Sequence, residues 1–164
     1  IPLVMRYPKE IKPGTVVKNM VLNLDFAPTF LDYAGAKIPA DMQGESFRKV
    51  VAGEKVAWRD AVYYHYYEYP AVHMVKRHYG VRTDRYKLIH FYYDIDEWEM
   101  YDMEKDPNEM KSIYGDPAYA EVQQMLYKKL EELRLKYHDS DEINQKFINQ
   151  SIEAREKAKN KKKE

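Results

Sequence analysis

The stretch 70–78, PAVHMVKRH, gathers His73, Lys76, Arg77 and His78, and Tyr67 and Tyr69 stand just before it. Imidazole, ammonium and guanidinium groups donate hydrogen bonds, so this set suits sugar hydroxyls together with an anionic group. The phenol rings add apolar faces against which a sugar can stack. His73, His78 and Arg77 are therefore the candidate substrate-binding residues. The same side chains would equally serve in a solvated basic loop with His78 satisfied inside a sheet, since loops carry donors without any ligand.

Other groupings carry less. Asp94-Ile95-Asp96 resembles the opening of an EF-hand loop, but Glu99 stands where the turn needs Gly and Lys105 where the bidentate Glu belongs. A solvated turn is the expectation. His73 and His78 have no carboxylate between them, and His65 and His90 sit alone in strand-like runs, so no metal ligand set emerges. The chain has no cysteine. Thiol nucleophiles, zinc–thiolate sites and disulfides are thereby excluded.

The elements that must position these residues follow from periodicity. Residues 61–69 (AVYYHYYEY) are aromatic throughout with no helical spacing, which predicts a strand ended by Pro70. Residues 79–83 and 86–93 are runs of strand formers flanking Asp84-Arg85, the pattern of a hairpin. A short third strand is expected at 98–101, closed by Asp106-Pro107-Asn108. Downstream, Asp116 is placed to cap a helix with Pro117 at its first position. Its apolar stripe is Tyr119, Val122, Leu126, Leu130, Leu133 and Tyr137, and it should cover one face of the sheet. Ile143, Phe147, Ile148 and Ile152 suggest a second short helix before a charged tail that favours solvation over nucleic-acid or membrane binding.

Upstream, residues 1–7 (IPLVMRY) read as a strand, Asp25 as the N-cap of a helix with Phe26, Phe30, Leu31 and Ala34 on one side, and 47–52 as a short helix. The expected fold class is α+β. A length of 164 residues accommodates one domain with a real core. Lys+Arg and Asp+Glu both number 27, so no global field points to nucleic acid or acidic membranes. Sixteen tyrosines suit half-buried sheets and sugar-facing surfaces. No apolar run approaches the ~20 residues of a membrane span. The chain opens inside a strand-like run, from which a piece of a longer protein is expected, with any targeting signal upstream.

The succession Val81-Arg82-Thr83, Tyr86-Lys87-Leu88-Ile89 and Met100-Tyr101-Asp102-Met103-Glu104-Lys105-Asp106-Pro107-Asn108-Glu109 resembles the C-terminal subdomain of the formylglycine-dependent sulfatases. Pro2-Leu3, Arg6-Tyr7-Pro8, Gly14, Leu24-Asp25, Ala27-Pro28-Thr29, Leu31, Gly35 and Gly44-Glu45-Ser46 resemble the same family, in the part that closes its large catalytic domain. The similarity is greatest to N-acetylglucosamine-6-sulfatase and mucin-desulfating types. It implies the end of an alkaline-phosphatase-like α/β domain over 1–54, a small antiparallel sheet with a long helix over 55–139, and a polar helical or disordered tail over 140–164. It also brings the 70–78 loop toward the mouth of the active site.

The resemblance further implies a calcium ion and a formylglycine made from Cys or Ser in a C/S-x-P/A-x-R motif. Ser151-Ile152-Glu153-Ala154-Arg155 has Glu153 where Pro or Ala is required, and the family's nucleophile, metal carboxylates and catalytic lysines are expected before residue 1. The chain itself should be catalytically silent. Its implied partners are the missing catalytic portion and a sulfated glycan, in a periplasmic or secreted full-length protein. Two alternatives stand beside this: a stand-alone tyrosine-rich glycan- or protein-binding module, and a phosphatase or phosphonate hydrolase of the same superfamily.

Overall fold

The computed structural model describes residues 2–70 and 73–161, without the side chains of 158, 159 and 161. They form two compact units, Ile1–Asp60 and Ala61–Glu164. In the first, a 3-10 turn at Asn23–Asp25 leads into helix α1 (Phe26–Tyr33), and a single turn of helix, α2, spans Arg48–Val51. Gly35, at φ 67°, ends α1 in the left-handed region that costs glycine least. Phe47, Val50 and Val51 are its buried core, with Phe26 edge-on to Phe47 at 6.1 Å.

Two expectations for this unit are corrected. No strand forms at residues 2–7, and Ile1 lies outside the described residues. An apolar run becomes a strand only where a neighbouring edge takes its N–H and C=O groups, and the sheet of this protein begins at Ala61. Nor does the Asp25 side chain cap α1. Its carboxylate accepts from the backbone N–H of Leu22 at 2.7 Å and of Glu45 at 2.9 Å, and the Arg59 guanidinium grips both oxygens. Gly44 lets the 44–45 backbone come that close, because a Cβ there would stand 1.9 Å from the Leu24 carbonyl oxygen.

The second unit is a four-stranded antiparallel meander in the order β1 (Ala61–Tyr66), β2 (His78–Thr83), β3 (Tyr86–Phe91), β4 (Glu97–Asp102). The hairpin at Asp84-Arg85 forms as its sequence predicts, fastened by the Thr83 hydroxyl, which accepts from the Tyr86 N–H at 2.9 Å. β1 stops three residues short of the expected Tyr69. After a 3-10 turn at Pro117–Tyr119, capped by Asp116, helix α3 (Ala120–Lys136) lays Leu126 and Leu130 on the sheet. They meet Val81, Leu88 and Met100, all essentially inaccessible.

Register explains why these three strands share that core. Tyr63, Val81, Leu88 and Met100 lie opposite one another across the ladder, as do His65, Tyr79, His90 and Trp98 two positions further along. Period-two alternation then places Tyr64, Tyr66, His78 and Phe91 on the other face. Helix α4 (Asp141–Lys161) is longer than the short helix expected, and it buries Asn144 and Ile148 in its first half.

Within this unit, the sulfatase-like hairpin and the sulfatase-like 100–109 stretch interlock. Arg85, in the hairpin turn, holds buried Asp102 bidentately at 2.9 and 2.7 Å, and Lys87 reaches Glu109 at 2.6 Å. Asp102 also accepts from the Glu104 N–H, and Asp106 from the Lys111 N–H, so both aspartates form turns as their sequence suggests. The guanidinium of Arg85 holds the Asp102 carboxyl below its usual range.

Candidate functional site

The four donors of the 70–78 stretch do not converge. Ala71 and Val72 lie outside the described residues, and the Tyr69–Pro70 peptide is cis. Lys76 is committed to the loop itself: its ammonium bonds the Tyr69 hydroxyl at 2.8 Å, lies 4.3 Å over that ring and pairs with Asp94. Arg77 is 1% exposed. It donates to the Tyr69 carbonyl and, at 2.6 Å, to the Ser151 hydroxyl, so it ties the loop to α4.

His78 follows Arg77 and, by the pleat, faces the other side of the sheet. There it stands among rings: Tyr66 stacked at 5.6 Å, Tyr64 edge-on at 5.9 Å and Phe91 at 5.3 Å. Its Nδ1 lies 2.8 Å from the Lys76 carbonyl, which can only accept, so Nδ1 donates there and Nε2 is left without a hydrogen-bond partner among the described residues. Gly80 gives Tyr64 its place, since a Cβ there would come within 2.6 Å of the Tyr64 hydroxyl oxygen. The Tyr64 and Tyr66 hydroxyls are buried without a hydrogen-bond partner among the described residues.

His73 is exposed and lines a cavity of 550 Å³ with Tyr67, Glu68 and Pro70 before it and Phe147 and Gln150 of α4 opposite. Tyr67 packs against Phe147 at 5.0 Å, and burial pushes its phenol up to about 12. This cavity therefore offers a neutral ring, an imidazole and a carboxylate. His78 keeps a ring nitrogen for a ligand and His73 is exposed, whereas Lys76 is taken up by the scaffold and Arg77 gives Nε and Nη2 to it, its Nη1 being buried with no hydrogen-bond partner among the described residues.

A buried cluster went unread in the sequence. His65 on β1 places Nδ1 2.9 Å from Asp139 and Nε2 2.6 Å from the Tyr92 hydroxyl, while Tyr63 donates to the same Asp139 oxygen. Tyr67 stacks on the imidazole at 3.7 Å and Arg134 flanks Asp139 at 3.8 Å. Asp139 lies in the turn joining α3 to α4, 74 residues from His65, so no local spacing could announce the pair. Burial lowers the His65 pKa from 6.5, and the Asp139 carboxylate offsets this only in part.

The sign of the pH dependence follows. Folded His65 resists a proton that the unfolded chain accepts near 6.5, so its contribution is present above that pH and is lost as the pH falls. Asp139, held below its usual range against burial by His65 and Tyr63, acts in the same direction at lower pH. The unfolding temperature should fall from pH 7 to 5, and His65→Gln should flatten the upper part of that decline. Equal slopes in wild type and variant would remove His65 from the account.

Neither group implied by the sulfatase resemblance fits these residues. Among the described residues no three His, Asp or Glu side chains assemble as a metal site. The Ser151 hydroxyl donates to the Phe147 carbonyl at 2.9 Å and accepts from Arg77, within a helix. No helix among the described residues is long and apolar enough to cross a membrane.

With strand order, interlocked turns and loop in place, the chain belongs to the family described as N-sulphoglucosamine sulphohydrolase, C-terminal, which matches residues 1–136. It corresponds to the C-terminal part of the sulfatases it matches, and these structural relatives have the alkaline-phosphatase-like fold. It is 56% identical over 144 residues to the N-acetylglucosamine-6-O-sulfatase of Bacteroides thetaiotaomicron, covering 86% of this chain and 26% of that protein. A solved sulfatase structure in complex with its substrate D-glucosamine-2-N,6-O-disulfate superposes with a TM-score of 0.80 at 55% identity, over 83% of this chain and 28% of that one. The phosphonate monoester hydrolase of Silicibacter pomeroyi, at 24% identity and a TM-score of 0.66 over 77% of this chain and 27% of that one, shows the fold alone. The chain thus spans about a quarter of the length of the relatives it matches. Neither the stand-alone binding module nor the phosphonate hydrolase is favoured by these likenesses.

Proposed function

We propose that the full-length protein hydrolyses sulfate esters of carbohydrates, with 6-sulfated glucosamine units as substrate, and that this chain supplies architecture and one wall of the substrate pocket. The observation that carries the proposal is the 56% identity to an N-acetylglucosamine-6-O-sulfatase over nearly the whole chain. Formylglycine and calcium belong to the catalytic portion that precedes these residues, where the cation neutralises sulfate oxygens. In this chain His73 and His78 present imidazoles to sugar hydroxyls. Arg77 contributes to the wall through the loop it fastens between Tyr69 and Ser151. The full-length protein acts in the periplasm or outside the cell, as the family resemblance implies.

The test is sulfate release from N-acetylglucosamine 6-sulfate with added calcium. The full-length enzyme should turn this substrate over, and the 164-residue chain alone should not rise above a buffer control. Turnover by the chain alone that survives Ser151→Ala would overturn the proposal, and so would a full-length enzyme inert on every 6-sulfated amino sugar.

A further inference from the structure

The 550 Å³ cavity that His73 lines has two walls, and one buried guanidinium ties them together. Tyr67, Glu68, Pro70 and His73 make the first wall and α4 makes the second. Arg77 is 1% exposed and pairs with no carboxylate among the described residues; its Nε donates to the Tyr69 carbonyl on the first side and its Nη2 to the Ser151 hydroxyl on the second. Burying a cation against neutral acceptors costs free energy, yet this one fixes the distance between the two walls. The cavity is held open at a set width before any ligand arrives.

The α4 wall consists of Phe147, Gln150, Ser151 and Ala154, beyond residue 136, where the family match stops. Its polar groups differ in what they have left to give. The Ser151 hydroxyl is taken, since it donates to the Phe147 carbonyl and accepts from Arg77. Gln150 is exposed, and among the described residues nothing engages its amide, which can both donate and accept. Across the cavity the Glu68 carboxylate and the His73 imidazole are exposed and equally unengaged.

The apolar part is a pair of rings. Phe147 is 40% exposed and meets Tyr67 at 5.0 Å with the ring planes 55° apart, while His65, stacked on Tyr67 at 3.7 Å, fixes that ring in turn. Rings set at an angle present apolar surface to the C–H side of a sugar, and Gln150, Glu68 and His73 supply partners for its hydroxyls. No lysine or arginine lines the cavity among the described residues. A second sulfate would meet the Glu68 carboxylate without a guanidinium or ammonium to receive it, so the ring that fits is uncharged.

We propose that this cavity is a subsite for the uncharged sugar adjoining the sulfated glucosamine, with Gln150 and Phe147 of α4 as its specificity-determining residues. The proposal deepens the sulfatase reading and rests on it, because that reading brings the sulfated unit to the wall where His73 stands.

The probe is a disaccharide of N-acetylglucosamine 6-sulfate linked through its C1 to galactose, compared with N-acetylglucosamine 6-sulfate alone. In the full-length enzyme Gln150→Ala and Phe147→Ala should each raise the disaccharide KM about tenfold, the size of one lost contact, with kcat unchanged and both constants for the monosaccharide at their wild-type values. Gln150 is exposed and unengaged, so its replacement leaves the fold as it is. Titration with the desulfated disaccharide, which offers no ester to cleave, reads the same subsite without turnover: Gln150→Ala should weaken its binding about tenfold and leave that of N-acetylglucosamine alone. Sulfate release from neither substrate, with Gln150-dependent binding intact, would sink the sulfatase reading and keep the subsite. In an active enzyme an unchanged disaccharide KM in Gln150→Ala, in an inactive one an unchanged affinity, and in either case equal losses on monosaccharide and disaccharide, would overturn the subsite.

Discussion

Replacing Asp25 with alanine should lower the stability of the Ile1–Asp60 unit by about 3–5 kcal/mol, the range for removing one partner of a buried ion pair. Asp25 is fully buried, and three groups depend on it: the Leu22 and Glu45 N–H groups and the Arg59 guanidinium. Burial pushes its carboxyl up, but Arg59 and the two backbone donors outweigh that and hold it below the usual range. Its contribution is therefore present above the ordinary aspartate pKa of 3.8 and disappears as the pH drops through the folded value. Urea unfolding followed by Trp58 fluorescence, in a Trp98→Phe background, reads this unit directly. Trp58 donates its indole N–H to the Met20 carbonyl and stacks under Arg59 at 4.6 Å. A loss below about 1 kcal/mol, the scale of an exposed pair, would mean that Asp25 is no hub.

The case of Asp25 also shows where the sequence stops being readable. An Asp before an apolar helical stripe is the ordinary mark of an N-cap, and that local signal placed α1 correctly. The side chain went to Arg59, 34 residues on, because burial favours a charged partner that no local pattern reveals. The meander and α3 were legible for the opposite reason. Alternation in β2 and β3 and the three-and-four spacing of Leu126 and Leu130 are local, and the core depends directly on them. Residues 2–7 misled because they carry strand chemistry without a strand partner.

For the site, the loop's donors were visible but their division of labour was not. Neighbours in sequence become opposite faces in a strand, so Arg77 and His78 part company as soon as β2 forms. The Ser151 that receives Arg77 stands 74 residues away. His65 was read as an isolated strand position, and only the turn after α3 shows why it is there.

The central claim is that this chain helps the full-length enzyme read its glycan. His78, boxed by Tyr64, Tyr66 and Phe91, is the sharpest place to test it, and His73, which lines the loop cavity, is the second. A hydrogen bond to a sugar hydroxyl in a partly desolvated pocket contributes on the order of 1–3 kcal/mol, equivalent to roughly a ten- to hundredfold change in kcat/KM. A small aryl sulfate presents no sugar to this wall, and on the proposed reading the nucleophile and metal that act on it lie outside this chain. The decisive measurement is kcat/KM of full-length His78→Ala and His73→Ala on the 6-sulfated amino-sugar substrate and on an aryl sulfate. At least one variant should lose ten- to hundredfold on the glycan, by the same hydrogen-bond estimate, while keeping its aryl sulfatase rate. A parallel decline on both substrates would make these histidines supports of the fold, and unchanged glycan kinetics in both variants would contradict the claim outright.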